Sequence, residues 1–259
     1  MTTSRYHEAY RAWQADPEAF WAEAAGGIDW IKPWERVFDP DAGVYGRWFV
    51  GAECNMCANA VDRHADGGRA DQLALIHDSA ISGTKRTFTY GELKREVVAL
   101  AAALRRLGVG KGDPVVIYMP MVAEAAFAML ACARLGAIHS VVFGGFAAKE
   151  LATRIDDARP KAIVSASCGL EPGRVVAYKP LLDGAIAMAT HKVESTIVLQ
   201  RDQQRCDLVA GRDHDYAEVV GAERDAGTAV DCVAVAATDP LYVLYTSGTT
   251  GQPKGVVRD

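Results

Sequence analysis

Short apolar runs alternate with helix-length segments through the middle of the chain, and this alternation constrains the fold more than any other feature. Runs of strand length occur at residues 114–119, 138–143, 161–167 and 195–199. The segments between them have the length and apolar content of helices and comprise residues 122–135, 147–157 and 179–189. Strands and helices that alternate in this way form a parallel sheet covered on both faces. The sequence therefore predicts an α/β fold, a parallel-rich sheet flanked by helices, with functional loops at the carboxyl ends of the strands.

A further helix is predicted just before the first of these strands. Thr89 is followed three residues later by Glu92, which is a capping box that satisfies free amides at a helix start. An apolar stripe with three- and four-residue steps then follows at Leu93, Val97, Leu100, Leu104 and Leu107. Gly108 can end this helix in a left-handed conformation.

The aromatic residues divide the chain into two regions. All five tryptophans, at positions 13, 21, 30, 34 and 48, lie in the first 48 residues. An isolated segment cannot bury such large rings by itself. We therefore predict that residues 1–85 form an aromatic-rich region packed on the body, and that residues 86–259 form the α/β part. Residues 200–237 are more polar, and we expect irregular surface structure there.

Composition and charge exclude several classes of protein. Half of the 259 residues are apolar and 24% are charged, and 28 basic against 33 acidic side chains give a net charge of −5. A nucleic-acid-binding surface needs clustered basic residues, so we expect no nucleic-acid partner. No apolar run approaches the ~20 residues of a membrane helix, and the first residues lack the apolar core of a signal peptide. We expect a cytoplasmic protein with no membrane partner. The oligomeric state is left open.

The cysteines and histidines give no clear metal or acid–base site. Cys54 and Cys57 form a C-x-x-C pair, but no second pair follows at the spacing of a zinc site. We therefore predict no metal site and interpret these cysteines as small packed residues on a helix. His139 and His191 have no evident catalytic partner. Asp156 and Asp157 are interpreted as a solvated helix end.

The stretch 245–255 carries the clearest chemical signal. It reads Y-T-S-G-T-T-G-Q-P-K-G and follows a strand-like apolar run at residues 241–244. Glycines let backbone amides approach an anion, hydroxyl groups add donors, and Lys254 adds a positive charge. By contrast, the G-V-G-K-G stretch at residues 108–112 follows a helix and precedes a strand, which is the context of a turn. The alternative for residues 245–255 is a glycine- and threonine-rich surface turn.

The stretch 245–255 resembles the phosphate loop of the AMP-forming acyl-CoA synthetases and their adenylate-forming relatives. In that family the loop surrounds the β- and γ-phosphates of ATP while a carboxylate attacks the α-phosphate. The resemblance implies that the ATP phosphates contact Thr246, Ser247, Gly248, Thr249, Thr250, Gly251 and Lys254. It also implies that ATP enters with Mg²⁺ and that the fold is the N-terminal domain of the adenylate-forming enzymes, here incomplete.

A second stretch is similar to the CoA-contacting region of propionyl-CoA synthetases. Residues 171–174 read E-P-G-R, and proline followed by glycine at the centre predicts a type II turn. The resemblance implies CoA contacts from Glu171, Pro172, Gly173 and Arg174, with Arg174 near the 3′-phosphate of CoA. Gly145, in the V-F-G-G-F stretch at 142–146, also matches a residue near the CoA path. Without the resemblance, the first stretch is an ordinary turn and the second a strand-to-helix turn.

The resemblance implies an ATP-dependent ligase that joins a short carboxylic acid, most simply propionate, to CoA through an acyl-adenylate. One alternative is an acetyl-CoA or other short-chain acyl-CoA synthetase. Another is a non-catalytic module that binds nucleotide or CoA. Family members extend well beyond the position of Asp259 and carry a catalytic lysine in a C-terminal domain. We therefore expect no catalytic residue within this chain, no C-terminal domain, and no turnover by the 259-residue chain alone.

Overall fold

The computed structural model describes residues 4–246 and 254–259, and they divide into two compact units. The first comprises residues 4–55 with Ala234–Asp239 and Asp259, and the second comprises the described residues of Met56–Val233 and Pro240–Arg258. The helices are α1 (Tyr6–Ala15), α2 (Pro17–Ala25), α3 (Tyr90–Arg106), α4 (Ala123–Leu135), α5 (Ala148–Ala158), α6 (Tyr178–Met188) and α7 (Tyr216–Asp225), with short helical turns at Ala58–Asp62 and Ala65–Arg69.

The strands are short and numerous. In chain order they are β1 (Arg36–Asp39), β2 (Arg47–Val50), β3 (Glu53–Cys54), β4 (Leu73–Ser79), β5 (Thr84–Thr89), β6 (Pro114–Met119), β7 (Ile138–Phe143), β8 (Ala162–Ala166), β9 (Cys168–Glu171), β10 (Arg174–Ala177), β11 (Ser195–Leu199), β12 (Asp213–Asp215), β13 (Val235–Ala236), β14 (Tyr242–Thr246) and β15 (Lys254–Arg258).

Aromatic contacts hold the first unit together. Trp30 and Trp34 meet edge to face with ring centroids 5.4 Å apart, and the Phe49 ring contacts both. The Trp30 indole donates a hydrogen bond to the Ala25 carbonyl at 2.9 Å. Strands β1 and β2 form an antiparallel hairpin, and β13 pairs with β3. Edge-to-face rings add to burial energy, so the cluster of Trp30, Trp34 and Phe49 helps to stabilise this small unit.

The second unit is built on a seven-stranded sheet. Its strand order is β12-β11-β8-β6-β7-β14-β15. All neighbouring strands are parallel except the last pair, because β15 runs antiparallel to β14. The predicted α/β fold with a parallel-rich, helix-flanked sheet is confirmed.

Two apolar cores lie on opposite faces of this sheet. Along β6, Val115 and Ile117 point into the core with α3, α4 and α7, whereas Val116 and Tyr118 point into the core with α5 and α6. The side-chain alternation of a strand thus feeds both cores, and β6 is buried along nearly its whole length. Such burial explains why its sequence is continuously apolar.

Helix α3 begins and ends where its sequence predicts. The Thr89 hydroxyl accepts a hydrogen bond from the Glu92 amide, and the Glu92 carboxylate accepts one from the Thr89 amide. Gly108, just past the helix, has φ +86°. A side chain at that φ is strained, so glycine suits this position.

The expectation of irregular structure throughout residues 200–237 is wrong for β12 and α7. Strand β12 reads Asp213-His214-Asp215, so no apolar pattern reveals it. The structure neutralises the Asp213 carboxylate with Lys179 and Arg212 at 3.0 and 2.6 Å, which allows a charged strand to be buried. Asp215 caps α7 through the Ala217 amide at 2.8 Å. In the part of the chain that is described, no helix is long and apolar enough to cross a membrane.

Candidate functional site

The carboxyl ends of β6, β7, β8, β11 and β14 meet at one edge of the sheet, because these strands are parallel. Loops at this edge are the usual ligand-binding positions of a parallel sheet. Four described residues that follow these strands are Met121, Gly145, Ser167 and Arg201, and β14 itself ends at Thr246. Both stretches singled out from the sequence therefore follow strands at this edge.

Thr246 and Lys254 flank the predicted phosphate loop. Thr246 is the last residue of β14, Lys254 is the first of β15, and the two are cross-strand partners. Both are exposed. The other predicted phosphate contacts lie outside the described residues and are Ser247, Gly248, Thr249, Thr250 and Gly251. The structure thus places the two ends of the stretch side by side at the carboxyl edge.

A polar contact anchors β14 at Tyr245, the first residue of this stretch. The Tyr245 hydroxyl donates a hydrogen bond to the Asp157 carboxylate at 2.5 Å, and the Arg154 guanidinium lies over the Tyr245 ring. Burial, followed by the neighbouring Asp157 carboxylate, raises the pKa of Tyr245. Asp156 accepts hydrogen bonds from the Thr190 hydroxyl and the His191 amide. Asp156 and Asp157 thus lie at the end of α5, as interpreted from the sequence, with Asp157 exposed and both carboxylates accepting hydrogen bonds.

The E-P-G-R stretch forms the tip of a tight hairpin. Strands β9 and β10 pair antiparallel, with Glu171 opposite Arg174 and the intervening Pro172 and Gly173 at the turn. Gly173 has φ +78°, the value that a type II turn requires at its third residue. The Arg174 guanidinium donates to Glu171 Oε2 from Nε at 2.8 Å and from Nη2 at 2.5 Å. Arg174 remains 69% exposed, so the guanidinium is accessible to an anion that competes with Glu171.

Tyr178 lies between two glycines beside this hairpin. A Cβ added at Gly144 or at Gly169 would lie 2.4 Å from the Tyr178 hydroxyl oxygen. The Tyr178 ring also contacts the Tyr118 ring, with centroids 5.1 Å apart. Sequence reasoning missed Tyr178. The sequence carries only an indirect signal for Tyr178, because the two glycines that accommodate it lie far apart in the chain, Gly144 just after β7 and Gly169 within β9.

A cavity of about 280 Å³ joins the loops of the carboxyl edge. Its lining includes Gly145, Glu171, Met121, Tyr178 and Arg201. The structure therefore brings together Gly145 and Glu171, two of the residues predicted from the CoA resemblance. The other three, Pro172, Gly173 and Arg174, are not among the lining residues and form the hairpin beside it.

Arg201 is a second residue that the sequence did not reveal. Its backbone amide donates to the Ser167 hydroxyl at 2.9 Å, and its Nη1 donates to the Cys168 carbonyl at 3.1 Å. These contacts fix a guanidinium at the cavity wall, where a phosphate or carboxylate can be bound. Arg201 follows β11, and its position after a predicted strand was the only feature of the sequence that could have indicated a functional residue here.

The surroundings of His139 and His191 favour a structural role for both. Burial lowers the pKa of His139 to about 4, and its ring is stacked 5.7 Å from that of Tyr242. His191 Nε2 lies 2.9 Å from the Pro160 carbonyl oxygen. Among the residues that the structure describes, none is hydrogen-bonded to His139 Nδ1, so this neutral imidazole does not form an acid–base pair there.

Cys57 of the C-x-x-C pair lies in a cluster with Cys232 and Asp62. Cys54 lies in β3, whereas the sulfurs of Cys57 and Cys232 and the Asp62 carboxylate lie within 4.8 Å of one another. The Asp62 oxygens already accept from Arg134 at 2.7 and 3.1 Å and pair with Lys94 at 3.1 Å. Two positive side chains oppose a cation at this cluster, so its surroundings do not suit a metal ion.

A helix-covered parallel sheet, with both candidate stretches at its carboxyl edge, defines the class of α/β proteins that bind ligands at this edge. The comparison with family models is more specific. The model described as AMP-binding enzyme matches residues 61–259, and the model described as acetyl-coenzyme A synthetase N-terminus matches residues 6–60. The chain belongs to the AMP-binding enzyme family.

Similar proteins of known name agree with this assignment. The chain is 48% identical to acyl-CoA synthetase short-chain family member 3, mitochondrial, of Rattus norvegicus, covering 100% of this chain and 38% of that protein. It is 47% identical to propionate–CoA ligase of Salmonella typhimurium, covering 98% of this chain and 40% of that protein. The structure of acetoacetyl-CoA synthetase from Streptomyces lividans matches with a TM-score of 0.84 at 26% identity, over 95% of this chain and 37% of that one. The chain thus spans about two-fifths of the length of the curated relatives.

Proposed function

We propose that this protein acts as an AMP-forming short-chain acid–CoA ligase, with propionate as its preferred acid. In this reaction a carboxylate and Mg-ATP form an acyl-adenylate and pyrophosphate, and the CoA thiol then displaces AMP. Family membership and the 47% identity to a propionate–CoA ligase support the proposal. The observation that carries it is the position of Thr246 and Lys254, which hold the two ends of the glycine- and hydroxyl-rich stretch at the carboxyl edge of the sheet.

In this proposal Thr246 and Lys254 bind the phosphates that leave as pyrophosphate. Negative charge redistributes over these oxygens as the α-phosphate is attacked, and fixed donors stabilise that charge best. The Asp157–Tyr245 hydrogen bond and the β14–β15 pairing hold both ends of the stretch in place. Little reorganisation is then needed at the moment of reaction.

The hairpin beside the cavity is proposed to bind CoA. Arg174 is paired with Glu171 in the structure, and a phosphate of CoA offers a stronger, doubly charged partner for the same guanidinium. Gly145 and Glu171 line the cavity into which the remainder of CoA would extend. Replacement of Arg174 by alanine should therefore weaken CoA binding more than ATP binding, whereas alanine at the exposed Arg95 on α3 serves as the matched control.

The role of Lys254 is tested by propionate-dependent ATP–pyrophosphate exchange in the complete gene product. We expect Lys254→Ala to slow exchange by about 10² to 10³, as the loss of one preorganised donor does elsewhere. Lys192→Ala is the control, because Lys192 is exposed and precedes β11, at the opposite edge of the sheet. An exchange rate in Lys254→Ala equal to that of the control would refute the proposed role.

Two further comparisons use the same assay. Exchange with acetate, propionate and butyrate decides the preferred acid, and faster exchange with acetate would favour an acetyl-CoA synthetase. The 259-residue chain assayed alone tests the expectation that it does not turn over. Saturable binding of CoA or ATP in calorimetry, without exchange by the complete gene product, would favour the non-catalytic binding module.

A further inference from the structure

Cys57 and Cys232 lie together although 175 positions separate them, which is 232 − 57. Cys57 precedes the helical turn Ala58–Asp62 and is fully buried, whereas Cys232 is partly exposed. Their sulfurs lie within 4.8 Å of each other. Both thiols point at the same carboxylate oxygen, Asp62 Oδ2, at 3.7 Å from Cys57 and 3.6 Å from Cys232. The sulfurs of Cys57 and Cys232 are therefore close enough for a disulfide bond to form between them after a small movement of the side chains.

A buried guanidinium lies beside these two thiols. Arg134, at the end of α4, donates from Nη1 to Cys57 Sγ at 3.6 Å and to Asp62 Oδ2 at 2.7 Å. Its Nε donates to the Val230 carbonyl at 2.5 Å, two residues before Cys232. The Arg134 side chain is only 5% exposed, so little water screens its charge. Such a charge favours a thiolate in its neighbourhood.

The two sulfurs differ in their tendency to ionise. A hydrogen bond from the Cys57 thiol, together with the Arg134 charge, lowers the pKa of Cys232. The hydrogen bond to Cys232 and burial raise the pKa of Cys57. Because Cys232 is partly exposed and Cys57 is fully buried, a reagent from solvent reaches the Cys232 sulfur first. This is the arrangement of an attacking and a resolving cysteine.

We propose that Cys57 and Cys232 form an oxidisable dithiol that reacts with hydroperoxides and closes to a disulfide. The Cys232 thiolate attacks one peroxide oxygen, the O–O bond breaks, and the leaving oxygen departs as water or an alcohol after taking up a proton. Cys232 becomes a sulfenic acid. The Cys57 sulfur then attacks the Cys232 sulfur, its proton and the sulfenic hydroxyl leave as water, and the S–S bond forms. Two electrons pass from the thiols to the peroxide.

The Asp62 carboxylate remains paired with positive side chains after the disulfide has formed. The two thiols lose their contacts to Asp62, but Arg134 and Lys94 continue to bind its oxygens. No buried carboxylate is left unpaired, which would otherwise oppose oxidation. This inference uses residues away from the candidate ligand cavity and does not depend on the proposed function.

The test treats the fully reduced 259-residue protein with a small excess of hydrogen peroxide and maps disulfides by mass spectrometry of unreduced peptides. We expect a peptide pair joined through Cys57 and Cys232, formed at the same rate in Cys54→Ser and Cys206→Ser. Cys54 is the other member of the C-x-x-C pair, and Cys206 is another partly exposed cysteine, so both are matched controls. A Cys54–Cys57 disulfide, or reduced Cys57 and Cys232 after oxidation of other cysteines, would overturn the proposal.

A trapping experiment separates the two roles. In Cys57→Ser treated with hydrogen peroxide, we expect dimedone, which labels sulfenic acids, to label Cys232 several-fold faster than Cys206, because the Arg134 charge favours the thiolate that the peroxide oxidises. In Cys232→Ser, we expect Cys57 to remain unlabelled. Equal labelling of Cys232 and Cys206 in Cys57→Ser would contradict the assignment of Cys232 as the attacking cysteine. Circular dichroism verifies that each variant folds. If a variant does not fold, the disulfide map of the wild-type protein still tests the proposal.

Discussion

At the scale of single residues, Gly144 and Gly169 leave Tyr178 just enough room for its ring. The ring is confined on both sides, because a Cβ at either glycine would lie within 2.5 Å of one of its carbon atoms. Neither glycine has a positive φ. Glycine is therefore required at both positions by close packing and not by backbone conformation, and no turn rule applied to the sequence could reveal that.

Gly144→Ala tests this close packing. The new methyl group meets a ring that cannot move away, so we expect a loss of about 1–3 kcal/mol in the free energy of unfolding. Gly145→Ala is the matched control, since its Cβ would meet only the edge of the exposed Phe143 ring at 2.8 Å. Urea denaturation followed by circular dichroism measures both. Equal stability of the two variants would show that Tyr178 is free to shift.

At the scale of elements, the capping residues of α3 determine where the helix begins, and this start determines which of its side chains face the core. The Thr89–Glu92 capping box fixes the first turn. Leu93, Val97 and Leu100 then point into the core. Apart from β9 and β10, of which the sequence predicted only the turn, the helices and strands from α3 to β11 were predicted within one residue at most ends, because capping, apolar period and strand burial all agree there.

Thr89→Ala removes one half of this capping box. We expect a loss of about 1 kcal/mol in the free energy of unfolding, the usual cost of an N-cap hydroxyl. Glu92→Gln keeps a side chain that can accept from the Thr89 amide, so it should cost much less. Thermal unfolding of both variants checks the difference. A larger loss in Glu92→Gln than in Thr89→Ala would mean that the Glu92 charge dominates the helix start.

Element-scale reasoning failed at β12 because its three residues are polar. Burial alone would raise the pKa of Asp213, but hydrogen bonds from Arg212, from the Val209 amide, and from Thr196 and Lys179 hold the pKa of this carboxyl well below its usual range. These partners come from several places in the chain. Arg212 and Val209 are near Asp213 in the chain, but Lys179 and Thr196 are distant, so the sequence alone does not show that this carboxylate is neutralised within a strand.

At the scale of the whole molecule, buried titratable groups couple stability to pH. His139 is neutral when folded because burial lowers its pKa to about 4, whereas an unfolded histidine titrates near ~6.5. At pH values between these two pKa values the unfolded chain binds more protons than the folded chain does. The free energy of unfolding therefore falls as the pH falls. We expect a slope of up to about 1.4 kcal/mol per pH unit in this window. His139→Gln should remove that slope in chemical denaturation measured from pH ~7 to ~4.

The Asp213 carboxylate affects stability at a lower pH than His139 does. Asp213 is ionised in the folded protein, and its lowered pKa stabilises the fold above the unfolded value of ~3.9. That contribution is lost as the pH falls below ~4 toward the folded pKa. Asp213→Asn should cost on the order of 3 kcal/mol at neutral pH, since Lys179 and Arg212 lose a buried partner. It should also flatten the curve below pH ~4 while leaving the His139 window unchanged. A steeper curve below that pH would contradict this account.

The sequence by itself determined the α/β class, the extents of most helices and strands between residues 89 and 199, and the two stretches at 171–174 and 245–255. Those features depend on side-chain period, capping and turn chemistry, which act between residues close together in the chain. Only the tertiary structure decided that Arg201 and Tyr178 share a cavity with Gly145 and Glu171, and that the sulfurs of Cys57 and Cys232 lie close together. Such neighbours are brought together by the order of strands in the sheet and by buried charges, which no local pattern records.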